Sequence, residues 1–96
     1  MIRHIVFFRA RRREDVTAML EGLSLLKTIP HASRLEVAAN AKVDVIGNEV
    51  DAIVYGEFAG QTALDAFKAH PTYIEATRRV RPLREMRMAA DYEAPR

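Results

Sequence analysis

The sequence predicts an α+β domain: one antiparallel sheet of four strands with helices laid on a single face, in the order βαββαβ. Two runs, residues 2–9 and 50–58, carry apolar side chains on both of their faces, as the central strands of such a sheet must. Between and after them, apolar residues recur at three- and four-residue intervals, the signature of helices with one dry stripe. The third observation is size. At 96 residues and 49% hydrophobic content the chain makes a single packed domain over 1–96, with little left to cover the second face of its sheet.

The first strand, residues 2–9, reads Ile-Arg-His-Ile-Val-Phe-Phe-Arg. Ile2, His4, Val6 and Phe8 share one face by period two; Ile5 and Phe7 share the other. Glu14 and Asp15 suit the N-terminus of a helix over about 14–28, whose stripe is Val16, Met19, Leu20, Leu23 and Leu26. Gly22 within it costs helix propensity or permits a close approach. Pro30 ends the helix, since it lacks the amide and restricts its predecessor. A second strand is expected at 33–39, where Leu35 and Val37 alternate with Arg34 and Glu36. A polar connection with Gly47-Asn48 leads to the third strand. A helix at 61–70 turns Leu64 and Phe67 inward, Pro71 interrupts or restarts it, and Tyr73, Ile74 and Thr77 continue as a short helix before Pro82. The last strand runs from Leu83 to Tyr92, followed by a frayed Glu-Ala-Pro-Arg tail. This is the ferredoxin-like arrangement.

Composition narrows the function classes. With no Cys, disulfide frameworks, thiolate chemistry and cysteine-rich zinc sites are excluded. No signal-peptide pattern opens the chain and no apolar run approaches a bilayer span, so the expectation is a cytoplasmic protein without membrane partners. Net charge is +2. Arginines cluster at 9–13 and 78–87, but Glu14, Asp15, Glu75 and Glu85 are interspersed and no aromatic stacking series accompanies them. They read as solvated charge and salt bridges rather than a nucleic-acid surface. No Walker or dinucleotide-binding glycine motif is present, and no cofactor is expected.

The two-faced strands raise the question of a cover. With Val54, Gly56 and Phe58 taken toward the helices, Ile53, Tyr55 and Glu57 face the other way. If the His4, Val6 and Phe8 face lies open beside them, Phe8, Val6, Ile53 and Tyr55 form one apolar patch. Such a patch marks an interface or groove, and two copies packed sheet to sheet would bury it in a two-fold homodimer with His4 enclosed between subunits.

Four fragments carry a resemblance: His4-Ile5-Val6-Phe7-Phe8, Gly56-Glu57-Phe58, Ala66-Phe67-Lys68-Ala69-His70-Pro71 and Ala90-Asp91-Tyr92. Through them almost the whole chain resembles the stress-responsive dimeric α/β-barrel family, Dabb. The resemblance implies ferredoxin-like subunits whose sheets pair into a dimeric barrel. It does not imply one activity. In a plant polyketide cyclase of the family a first-strand histidine matches His4, but the catalytic histidine beyond the His-Pro motif corresponds to Tyr73. Tyrosines of that enzyme correspond to Phe67 and Gly22, so its mechanism does not carry over.

His4 is the leading site candidate, because neutral imidazole near pH 7 can take a proton or hydrogen-bond a carbonyl or phenol. It and Tyr73 are the candidate catalytic pair. Tyr55, Glu57, Phe8 and Arg87 are the candidate ligand-binding residues, with Glu57 able to hold the histidine tautomer or act as a second base. Arg87 also shares a strand face with Asp91, so an ion pair between them competes with anion binding. His4, Glu57 and Asp91 can be proposed as a metal-ligand set, but no metal is expected. His70 is expected to cap the carbonyl end of the second helix, and His31 to lie in a loop. The leading function is a homodimeric barrel protein with a small, mainly apolar ligand cavity. The alternatives are a cofactor-independent lyase, isomerase or monooxygenase acting on a phenolic or carbonyl compound, and a structural or stress-related dimer without catalysis.

Overall fold

The computed structural model describes residues 1–95. Strand β1 (Ile2–Ala10) is followed by helix α1 (Val16–Ser24), strands β2 (Arg34–Ala39) and β3 (Ala52–Phe58), helices α2 (Gln61–Ala69) and α3 (Pro71–Val80), and strand β4 (Arg84–Glu93). The sheet is antiparallel in the order β2-β3-β1-β4, so the two strands with two apolar faces are the central ones. This is the ferredoxin-like βαββαβ subunit.

The helices lie on one face only. The Cα envelope measures 35 × 31 × 16 Å, the thickness of one sheet and one helical layer. Between the layers sits the core: Val6, Phe8, Val54 and Phe58 from the sheet, Met19 and Leu23 from α1, Leu64 and Phe67 from α2, Ala76 and Val80 from α3. Gly22 permits a close crossing, since a Cβ there would lie 3.0 Å from Val80 Cγ2. The stretch expected as one helix is segmented, with 3-10 turns at Arg13–Asp15 and Leu25–Thr28 on either side of α1. Near its end Ser24 donates to the Leu20 carbonyl and Thr28 to that of Leu25, both at 2.8 Å, and such back-bonding tightens and bends a helix.

The other face of the sheet is uncovered, and it is not the face set out above. β1 pairs with β3 so that His4 lies opposite Gly56 and Val6 opposite Val54. Directly opposed residues share a face. His4, Val6 and Phe8 therefore lie beneath the helices of their own subunit. The open face carries Ile5 and Phe7 with Ile53, Tyr55 and Glu57 from β3, and Met88, Ala90 and Tyr92 from β4. Period two identified which residues travel together within each strand. Joining the two sets needed the inter-strand register, and a shift of one residue exchanges the faces.

The C-terminal end is also more ordered than a frayed tail. Glu93 belongs to β4 and its carboxylate meets the N-terminal ammonium at 2.7 Å, while the Ala94 N–H donates to the Met1 carbonyl at 2.8 Å. Arg96, the last residue of that tail, lies outside the described residues.

Candidate functional site

His4 is 1% exposed, the sole polar side chain among the described residues that is buried to the depth of the core. β1 places it beneath α3 and α2, edge-on to Phe58 with ring centroids 6.2 Å apart. Gly56, directly across from it, makes room for that ring; a Cβ there would come within 2.7 Å of Phe58 Cε2. On the other side His4 pairs with Asp91 of β4, and its Nδ1 hydrogen-bonds to Asp91 Oδ1. Facing a carboxylate, Nδ1 is the donor, and in the neutral form of the ring that leaves Nε2 as an acceptor. Asp91 reaches water from the edge strand, with 39% of its side chain exposed.

The ring also lines a cavity between sheet and helices. Val6 and Phe8 continue its floor, Leu23, Phe67, Tyr73 and Thr77 form its roof, and Arg84 and Arg87 stand at its rim. Its volume is about 30 Å³, room for one or two water molecules. Tyr73 stacks edge-on against Phe67 at 5.5 Å. Tyr73 and Thr77, one turn apart on α3, also line a second, open cleft of about 690 Å³ on the outer side of that helix. They thus border both spaces.

Of the six residues selected from the sequence, His4, Phe8, Tyr73 and Arg87 converge on this cavity. Tyr55 and Glu57 do not, because they occupy the opposite face of the sheet. There the Tyr55 hydroxyl donates to Glu57 at 2.6 Å; that hydrogen bond, with some burial, raises the phenol above its ordinary pKa. Arg3 joins the same group, with its guanidinium 5.7 Å from the Tyr92 ring centroid and donating to the Tyr92 hydroxyl at 3.3 Å. Glu57 therefore cannot hold the His4 tautomer; Asp91 does. Arg87 and Asp91 form no ion pair, since Asp91 turns to the histidine. His4 and Asp91 are likewise divided from Glu57 by the sheet, and among the described residues no cluster of three His, Asp or Glu side chains can hold a metal ion.

His70 caps a helix, but the following one. It takes an extended conformation before Pro71 and its Nδ1 accepts the Thr72 N–H at 3.1 Å, as the N-cap of α3. His31 lies in a turn at φ 93°, its ring 6.4 Å from that of His70.

Sequence reasoning grouped Asp91 with His4 only as a possible metal ligand, not as the partner of its ring, and did not select Arg84 or Thr77 for the site. The signal for Asp91 was available: in this topology β4 lies against β1 antiparallel, which brings the last strand's Asp-Tyr to the first strand's histidine.

The fold and this helix-covered pocket define a ferredoxin-like α+β protein with a histidine at the base of its single helical layer. The model of the stress responsive A/B barrel domain, Dabb, matches residues 2–94, and the chain belongs to that family. In structure it is similar to a dimeric ferredoxin-like protein of unknown function from Thermobifida fusca, 24% identical over 97% of this chain and 90% of that one, with a TM-score of 0.81. It is similar also to a Dabb family protein with a ferredoxin-like fold from Mesorhizobium loti, 22% identical over 98% and 96% of the two chains, TM-score 0.78. An antibiotic biosynthesis monooxygenase shares the fold across the full length of both chains at 13% identity and TM-score 0.81. No curated protein matches the chain in sequence. Among the described residues no helix is long and apolar enough to cross a membrane.

Proposed function

We propose that the chain forms a homodimer through its open sheet faces, closing a dimeric barrel, and that each subunit binds a small, mainly apolar molecule with a phenolic or carbonyl oxygen beside His4. The reading rests on one observation above others: a buried imidazole, oriented at Nδ1 by Asp91, lines a cavity from within. A buried histidine needs a polar partner in any case, but a packing role alone does not call for a space beside the ring. With a carbonyl compound bound, Nε2 takes a proton from the carbon next to the carbonyl, the electron pair moves into the enolate, and the imidazolium is held by Asp91. Return of the proton to carbon restores the histidine, so no cofactor enters the balance. The Tyr73 hydroxyl, at the roof, orients the oxygen.

A second reading is a structural dimer without chemistry. It is favoured by the cavity volume of about 30 Å³, which admits no ligand unless Tyr73 and Thr77 give way. Hydrogen–deuterium exchange of α-protons in a panel of aryl ketones, followed by NMR in D₂O, separates the two. Proton transfer predicts accelerated exchange that falls by about 10²–10⁴ in His4→Asn. Ketones that neither bind nor exchange faster with the protein present would leave the structural reading in place.

A further inference from the structure

The outer cleft carries a charge imbalance that the proton-transfer reading does not use. Arg11, Lys68, Arg78 and Arg81 line it, and Arg84 and Arg87 stand at the adjoining cavity rim. Among the described residues only Arg78 of these six is in an ion pair, with Glu75, whose carboxyl the Arg78 and Arg79 guanidiniums pull down to about 2. Among the described residues no carboxylate lines either space. The Arg11 N–H donates to the Leu83 carbonyl at 2.8 Å, which fastens the backbone of the turn after β1 beside Arg81 and Pro82. Partial burial, then repulsion from Arg87 and Arg81, lowers the pKa of Arg84, so these guanidiniums meet one another without a counter-charge. The volume of about 690 Å³ is of small-ligand size, and Tyr73, Ile74 and Pro82 give it apolar wall.

The geometry points to an organic anion as the ligand: a carboxylate or phosphate ester whose charged group sits among Arg11, Lys68 and Arg81 while its apolar body passes Tyr73 and Thr77 toward His4. This rests on the cavity being the ligand site and adds the class of molecule it takes. An extended nucleic acid fits less well, since a single aromatic ring, Tyr73, faces the cleft and Glu75 already offsets part of the charge.

Three probes sharing one ring test it: 1-naphthoate, 1-naphthyl phosphate and uncharged 1-naphthol, titrated by fluorescence against the wild type and a Lys68→Gln/Arg81→Gln double variant. Both substitutions lie on the surface, and a thermal melt confirms the variant is folded. At least one anion is expected to bind about tenfold more tightly than naphthol, with the advantage lost in the double variant and reduced by added salt. The stronger of the two anions identifies the head group. Naphthol binding as tightly as both anions, or an anion preference that survives the double variant, would overturn the inference. So would a single-stranded oligonucleotide that displaces the probes and depends on the same two residues. The His4 imidazole resonances report the underlying reading separately. If no probe moves them, the cavity is not the ligand site; if they move without charge preference, only the anion inference fails.

Discussion

A polar side chain withdrawn from water needs a partner, and two such partnerships, one in the core and one at its margin, organise this small subunit. His4 has Asp91, and the pair turns a buried ring into an oriented acceptor. Asp51 has a different task. Just ahead of β3, it accepts the Ala10 N–H at 2.9 Å and the Lys42 ammonium at 2.6 Å, while its own N–H donates to the Phe8 carbonyl at 2.8 Å. Burial by itself would raise its pKa; the Lys42 and Ala10 hydrogen bonds outweigh burial and hold it below its ordinary 3.8. Because the folded value is depressed, the stabilisation is complete above the ordinary value and is lost as pH falls through the lower, folded one. Asp51→Ala is expected to lower unfolding free energy by about 1–3 kcal/mol at neutral pH, partly through the orphaned Ala10 amide. Urea titrations should show that difference narrowing in strong acid; a difference independent of pH would mean the carboxylate's charge is irrelevant.

At the scale of elements, the layout of strands and helices was legible because periodicity reports burial directly. Ile5 and Phe7 alternating with His4, Val6 and Phe8 marked a two-faced strand, and Leu64 with Phe67 marked the inner side of α2. What the pattern did not contain was the pairing of one strand with its neighbour. That is why Tyr55 and Glu57 were grouped with a histidine they cannot reach, and why Asp91 was assigned to Arg87 or a metal instead of to the His4 ring. The break between α2 and α3 was legible at Pro71, but the direction of the His70 cap depended on where its imidazole points. His70→Ala should cost about 0.5–2 kcal/mol, while His70→Asn, which also caps, should recover most of it. Equal loss in both variants would assign His70 to packing instead. Gly56→Ala tests the floor of the site: the new Cβ meets Phe58, which is fully buried, so about 1–3 kcal/mol should be lost and the Phe58 ring beside His4 displaced. Retained stability with an unmoved His4 spectrum would mean the ring yields freely.

For the whole molecule, a slab one helical layer thick leaves half of its sheet bare. Ile5, Phe7 and Ile53 lie on that side with Met88, which is 60% exposed. The edge strand β4 is exposed along most of its length, and an edge of ten residues is one that proteins ordinarily cover. The proposed sheet-face pairing would cover the bare face. Sedimentation should give a dimer for the wild type and a folded monomer for Phe7→Glu, which places a charge in the seam; a wild-type monomer at every concentration would remove the barrel from the account. The proposed dimer seam and the His4 site lie on opposite faces of the sheet, so each can fail without the other. The most direct test of the site is the state of the His4 ring, read from long-range ¹H–¹⁵N correlations of histidine-labelled protein, with His31→Gln and His70→Asn used for assignment. The expected result is a ring protonated at Nδ1, with a bare Nε2 whose resonance moves when a ligand enters and a tautomer that redistributes in Asp91→Ala. A ring protonated at Nε2, or one indifferent to the loss of Asp91, would contradict it.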